Sequence, residues 1–139
     1  MRGREIRQAL HDGQNVYSTA IIAASTYWPQ IAAGLDIDFV FIDSEHVPQD
    51  RINLSWMCHT YAALGIPPVV RIPSPDPYAA CMVLDGNAGG VISPYTETVA
   101  QAQDLVGAAR YRPLKGRRLR EALDDPASME DTLAEYLDQ

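Results

Sequence analysis

Short apolar runs alternate with helix-length segments along this chain, and the alternation sets out its elements. Residues 3–13 predict a helix stopped by Gly13, and the β-branched and aromatic run Val16–Ile22 predicts a strand. Residues 26–34 predict a short helix with Pro29 early in it and Gly34 just past its end. The run Phe39–Ile42 is apolar without alternation and is closed by Asp43, as in a strand buried on both faces. Over residues 50–64, Ile52, Trp56, Met57, Tyr61 and Leu64 share one helical stripe, ended by Gly65. Pro68–Ile72 predicts the next buried strand. Ser74 is then the expected cap of a helix with Pro75 at its first position, running to Leu84 ahead of Asp85 and Gly86. Gly89–Ser93 predicts a fourth strand. Thr98 caps a helix over residues 99–110 whose apolar face is Ala102, Leu105, Val106 and Ala109. Ser128, with Asp131 three residues on, opens a last short helix.

Strands and helices taking turns in this way predict an α/β fold of parallel strands joined by right-handed crossovers. Two architectures fit the pattern alone: an open doubly wound sheet, or a segment of a (β/α)₈ barrel.

Composition narrows the classes. The chain has 139 residues and a formal charge of −7, and its 47% hydrophobic content is enough for a packed core in one domain. The charge is uneven. Residues 121–139 carry seven acidic and no basic side chains, while six of the eleven basic residues fall within 110–120. We therefore separate a folded βα domain over residues 1–120 from an acidic helical tail over 121–139. The basic cluster Arg110–Arg120 has Tyr111 as its one aromatic and faces an acidic tail. Neutralisation by that tail or by a partner chain is expected over nucleic-acid binding. No apolar run is long enough to span a membrane, and the start has no signal-like apolar stretch, so a cytoplasmic location is expected. Cys58 and Cys81 have no metal-binding spacing and read as reduced, structural thiols.

In both architectures chemistry gathers at the carboxyl ends of the strands. There this chain sets Asp43, Ser44, Glu45 and His46 after one strand, Arg71 within the next, and Ser93, Pro94 and Tyr95 after the fourth. A charge inside a buried strand is costly unless paired, so Arg71 needs an anion, either a structural carboxylate or a ligand. Asp43, three residues before His46, is placed to accept from one imidazole nitrogen and so orient a histidine base. His11 and His59 lie in helical segments and read as surface residues, and Trp28 and Trp56 as packing residues.

The stretch DFVFIDSEHVPQD, followed by GIPPVVRIPSPDP, VLDGNAGGVISPYTET and ARYRPLKGRR, resembles the HpcH/HpaI aldolases, the class II pyruvate aldolases, over residues 10–120. The resemblance implies the amino-terminal half of a (β/α)₈ TIM barrel, about four strands. It also implies a carbon–carbon lyase that splits 4-hydroxy-2-oxo acids into pyruvate and an aldehyde, using a divalent metal, Mg²⁺ or Mn²⁺, in a homo-oligomer. By that resemblance His46 is the base acting with Asp43, Arg71 holds the pyruvate carboxylate and stabilises the enolate oxygen, and Glu45 supports the site. Asp85 matches an aspartate that reaches a neighbouring subunit. Tyr95 stands where the family has an apolar residue and is given no role.

The metal ligands of the family lie on the fifth and sixth strands, beyond the residues matched here. The expectation is therefore an amino-terminal fragment without a metal site of its own, active when a complementing half supplies the ligands. The alternative is a catalytically inactive α/β domain acting through oligomerisation or carboxylate binding.

Overall fold

The computed structural model describes residues 3–112, 114 and 116–137. Its elements follow in the order α1 (Gly3–His11), β1 (Ser18–Ile21), α2 (Trp28–Ala33), β2 (Phe39–Asp43), α3 (Arg51–Ala63), β3 (Pro68–Arg71), α4 (Pro77–Asp85), β4 (Gly90–Ile92), α5 (Val99–Arg110), α6 (Gly116–Asp124), a 3₁₀ turn (Pro126–Ser128) and α7 (Asp131–Leu137). The strands form one parallel sheet in the order β1-β2-β3-β4.

The register decides between the two architectures. Ile21, Ile42 and Val70 lie side by side across β1, β2 and β3, with Val40 two residues along on the same face. Val40, Ile42 and Val70 are fully buried, packed with Met57, Cys58 and Tyr61 of α3 and with Ala80 and Val83 of α4. The alternate positions Phe39, Phe41, Val69 and Arg71 are only half-buried. The crossover helices therefore cover a single face, and the strand order runs on without reversal. A doubly wound sheet has helices on both faces and a reversal point, whereas a barrel segment has neither. α1 lies by the amino ends of β3 and β4, where Gly3 sits on the Gly89 carbonyl more closely than any Cβ allows.

Local chemistry fixes the element ends. Gly13 and Gly65 adopt φ of 73° and 76°, which explains glycine at the two helix stops. Asp50 caps α3 by accepting from the Asn53 amide. Thr98 and Gln101 form a reciprocal capping box on α5.

Several expected details shift. The cap of α4 is Asp76, which accepts from the Tyr78 amide, and the helix starts at Pro77; Ser74 and Pro75 stay in the preceding loop. On α3 the buried stripe is Leu54, Met57, Cys58 and Tyr61, while Ile52, Trp56 and Leu64 are exposed. On α5 the buried residues are Gly107 and Ala108, with Leu105 half-buried and Val106 exposed. Helix α6 overlaps the expected helical tail at residues 121–124 but begins earlier, at Gly116. Its Leu119 and Leu123 reach toward Gly107 of α5, a close crossing that a larger residue there would obstruct. They join Tyr111, Leu114, Ala122, Met129 and Leu133 in a second small core. The compositional break between residues 120 and 121 falls inside α6. The last helix starts at Asp131, because Pro126–Ser128 is a separate 3₁₀ turn capped by Asp125.

Two buried groups on α3 follow from the same packing. Burial pushes the Cys58 thiol up to about 12, which leaves it protonated and unreactive. The Tyr61 hydroxyl is buried with no hydrogen-bond partner among the described residues, and burial raises its pKa. Tyr61→Phe removes that unpaired group while keeping the ring, so it is expected to raise unfolding stability by about 1 kcal/mol, read from the urea midpoint.

Candidate active site

Parallel pairing aligns Asp43, the last residue of β2, with Arg71, the last of β3, on the sheet face not covered by helices. The arginine fork meets the carboxylate side on. Arg71 Nη2 donates to Asp43 Oδ2 at 2.6 Å and Nε donates to Asp43 Oδ1 at 3.0 Å. Nε also lies 3.2 Å from Glu45 Oε2. The guanidinium rests over the Phe41 ring, 5.5 Å from its centre. Ser44 ties the two strand ends together, its hydroxyl donating to the Arg71 carbonyl at 2.6 Å.

Asp43 does not orient the His46 ring. Its Oδ1 instead accepts from the backbone N–H groups of Glu45, at 2.9 Å, and His46, at 3.3 Å. Asp43 therefore shapes the turn after β2 and grips Arg71. The hydrogen bond from Arg71 holds the Asp43 pKa down to about 2, helped by those two amides and opposed by burial. The same bond, reinforced by Glu45, raises the Arg71 pKa further. The group facing the imidazole is Glu45, with Oε1 3.7 Å from His46 Nε2. The Glu45 side chain is 8% exposed and that of His46 is 64% exposed, so a sheltered carboxylate stands beneath an accessible ring.

His46 and Arg71 thus converge on the Glu45 carboxylate from its two oxygens. Asp85 joins no part of this cluster. It closes α4, is exposed, and lies 3.4 Å from Arg112 Nη1. Tyr95, set after the fourth strand in the sequence, has no role implied by the family resemblance. It follows β4 at the same rim, and the Glu45 carboxylate beside its phenol raises its pKa, with Arg71 acting the other way.

A family model described as HpcH/HpaI aldolase/citrate lyase matches residues 21–133. The chain belongs to that family. Among relatives, a hydroxypyruvate/pyruvate aldolase of Agrobacterium fabrum is 30% identical over 95% of this chain and 49% of its own length. A 2-keto-3-deoxy-L-rhamnonate aldolase of Salmonella gallinarum is 29% identical over 80% of this chain and 42% of its own. The HpcH/HpaI aldolase structure from Desulfitobacterium hafniense superposes with a TM-score of 0.72 at 22% identity, over 96% of this chain and 51% of that one. The citrate synthase SbnG superposes with a TM-score of 0.70 at 28% identity, over 86% and 49%. The chain spans about half the length of the curated relatives it matches. In this HpcH/HpaI chain the sheet and its helices correspond to half of the barrel of those structures.

The divalent metal that the family implies finds no fitting donor set among the described residues. There no three His, Cys, Asp or Glu side chains are placed so that they could hold one metal ion. Both oxygens of Asp43 and one of Glu45 already face the Arg71 guanidinium, so a cation placed on them meets a fixed positive charge.

Proposed function

We propose that this HpcH/HpaI chain provides the carboxylate-binding and proton-transfer part of a carbon–carbon lyase that splits 4-hydroxy-2-oxo acids into pyruvate and an aldehyde in the cytoplasm. The observation that carries the reading is the convergence of Arg71 and His46 on Glu45 at the carboxyl ends of adjacent strands. The curated aldolase relatives support it.

Roles follow from the contacts. Among the described residues nothing hydrogen-bonds Arg71 Nη1, which leaves that nitrogen for the carboxylate or enolate oxygen of a small 2-oxo acid. Asp43 holds the guanidinium in orientation. Glu45 faces His46 Nε2, a placement that favours the Nε2–H tautomer and leaves Nδ1 to accept a proton. In cleavage, a base takes the 4-hydroxyl proton, the C3–C4 bond breaks, and C4 departs as the aldehyde carbonyl. The bond's electron pair enters the pyruvate enolate, which is then protonated at C3. The complementing half, or a homo-oligomeric neighbour contacted through Asp85, belongs to the same proposal.

The double pairing of Arg71 favours one other reading, a structural ion pair in an inactive α/β domain. Exchange of the pyruvate methyl protons in deuterated water separates the two. The lyase reading expects exchange above the buffer rate, with and without Mg²⁺ or Mn²⁺, that His46→Ala reduces at least tenfold, a typical general-base contribution being about 10²–10⁴-fold. Exchange at the buffer rate in the parent protein, or equal exchange in His46→Ala, favours the inactive domain.

A further inference from the structure

On the sheet face that the helices leave open, strand pairing sets Ala20, Phe41, Val69 and Gly90 side by side in one row. The next row, toward the carboxyl ends, holds Asp43, Arg71 and Ile92. Phe41 is the one ring in its row. It is half-buried and points away from Val40 and Ile42, the β2 residues that pack in the core. Arg71 stands one row up and one strand across, and its guanidinium carbon lies over the Phe41 ring, 5.5 Å from the centre. That is within the range at which the negative face of a ring attracts a cation.

The carboxylates hold Arg71 differently. Nη2 and Nε meet Asp43, and Nε also meets Glu45, so the guanidinium is gripped along one edge. Its N–H groups donate in its own plane, and a plate held by one edge is free to tilt about that edge. A ring against the flat face opposes the tilt, which no in-plane acceptor does.

We propose that Phe41 is a positioning residue of this site: its ring supports the flat face of the Arg71 guanidinium and holds Nη1 level to receive a carboxylate. The ring also keeps water from that face, so an anion approaches in the guanidinium plane or from the opposite side. An aliphatic side chain would fill the same space without offering a negative face. The carboxylate ligand rests on the function proposed above; the support given to Arg71 does not.

Phe41→Leu removes the ring and keeps an apolar side chain, and Phe41→Tyr keeps the ring. An aromatic face shields protons lying over it. In the ligand-free whole chain the Arg71 Nε–H signal is therefore expected to move to lower field in Phe41→Leu and to exchange faster with water, while Phe41→Tyr keeps both near the parent. Calorimetric titration with pyruvate is expected to give an affinity about fivefold weaker in Phe41→Leu, the order of one partly exposed cation–π contact, and close to the parent in Phe41→Tyr. A ring-fluorinated phenylalanine at position 41 keeps the shape but weakens the negative face, so it shows the same loss even where the leucine variant fails to fold. A Phe41 that serves packing alone lowers the melting temperature in Phe41→Leu and moves neither the Arg71 signal nor the affinity. That pattern, or a fluorinated chain that binds as the parent does, overturns the inference. Parent protein that fails to bind pyruvate overturns only the ligand assignment, and the Arg71 signal and its exchange still decide Phe41.

Discussion

Asp43→Ala is expected to lower the unfolding free energy by about 3 kcal/mol, the low end of the usual cost of removing one partner of a buried ion pair. The low end applies because the Arg71 side chain keeps 26% of its exposure and can recover some water. The loss is still large, since the substitution strips both Arg71 donors of their main acceptor and leaves the Glu45 and His46 amides unpaired. It is also a sizeable share of a domain's stability of about 5–15 kcal/mol.

Part of that loss depends on pH. In the folded chain the Asp43 carboxyl titrates at about 2, against an ordinary 3.8, so folding favours its ionised form. The resulting stabilisation is complete above the ordinary value and fades as pH falls through the folded one. Its size is about 2 kcal/mol, from the relation between a pKa difference and free energy. Urea unfolding of parent and Asp43→Ala should therefore differ most near neutral pH and converge by about that amount between pH 4 and pH 2. A gap that is constant across this window contradicts the assigned role of the carboxylate.

Arg71→Met is expected to weaken pyruvate binding on the order of 100-fold, because it removes the cation and leaves Asp43 and Glu45 facing an anionic ligand. Arg71→Lys separates charge from geometry. The ammonium keeps the charge but cannot span Asp43 and the ligand as a fork does, so a loss of about tenfold is expected for it. Calorimetric titration with pyruvate measures both. Equal affinity in parent, Arg71→Lys and Arg71→Met shows that Arg71 serves only the fold.

The parts legible in the sequence are those with local causes. The run Phe39–Ile42 ended by Asp43 announces a buried strand with chemistry at its end, and glycine marks helix stops where positive φ is required. The group Asp43, Glu45, His46 and Arg71 was recognisable, and the structure gathers it at one rim. The distribution of partners within it was not. Asp43 binds Arg71 because strand register sets the two residues side by side, and register is a property of the assembled sheet. With the arginine taking both oxygens, the histidine ring is left to Glu45.

Helix faces misled for a related reason. On α3 apolar residues stand on more than one side, and contact with β2, β3 and α4 selects Leu54 and Cys58 over Ile52 and Leu64. The start of α6 carried no signal because its apolar residues, Leu119, Ala122 and Leu123, are few among charges and find their partners on α5 and in the segments on either side of α6. The position of Tyr95 after β4 was legible, but its left-handed backbone was not, because no residue type in the loop announces it.

The most direct test of the account is a nuclear magnetic resonance titration of the whole chain with pyruvate, following the Arg71 Nε–H signal against a chloride control of equal ionic strength. The account predicts a saturable displacement of that signal, together with perturbation of the His46 ring protons, and loss of the His46 response in Arg71→Met. Signals that move no further with pyruvate than with chloride contradict it.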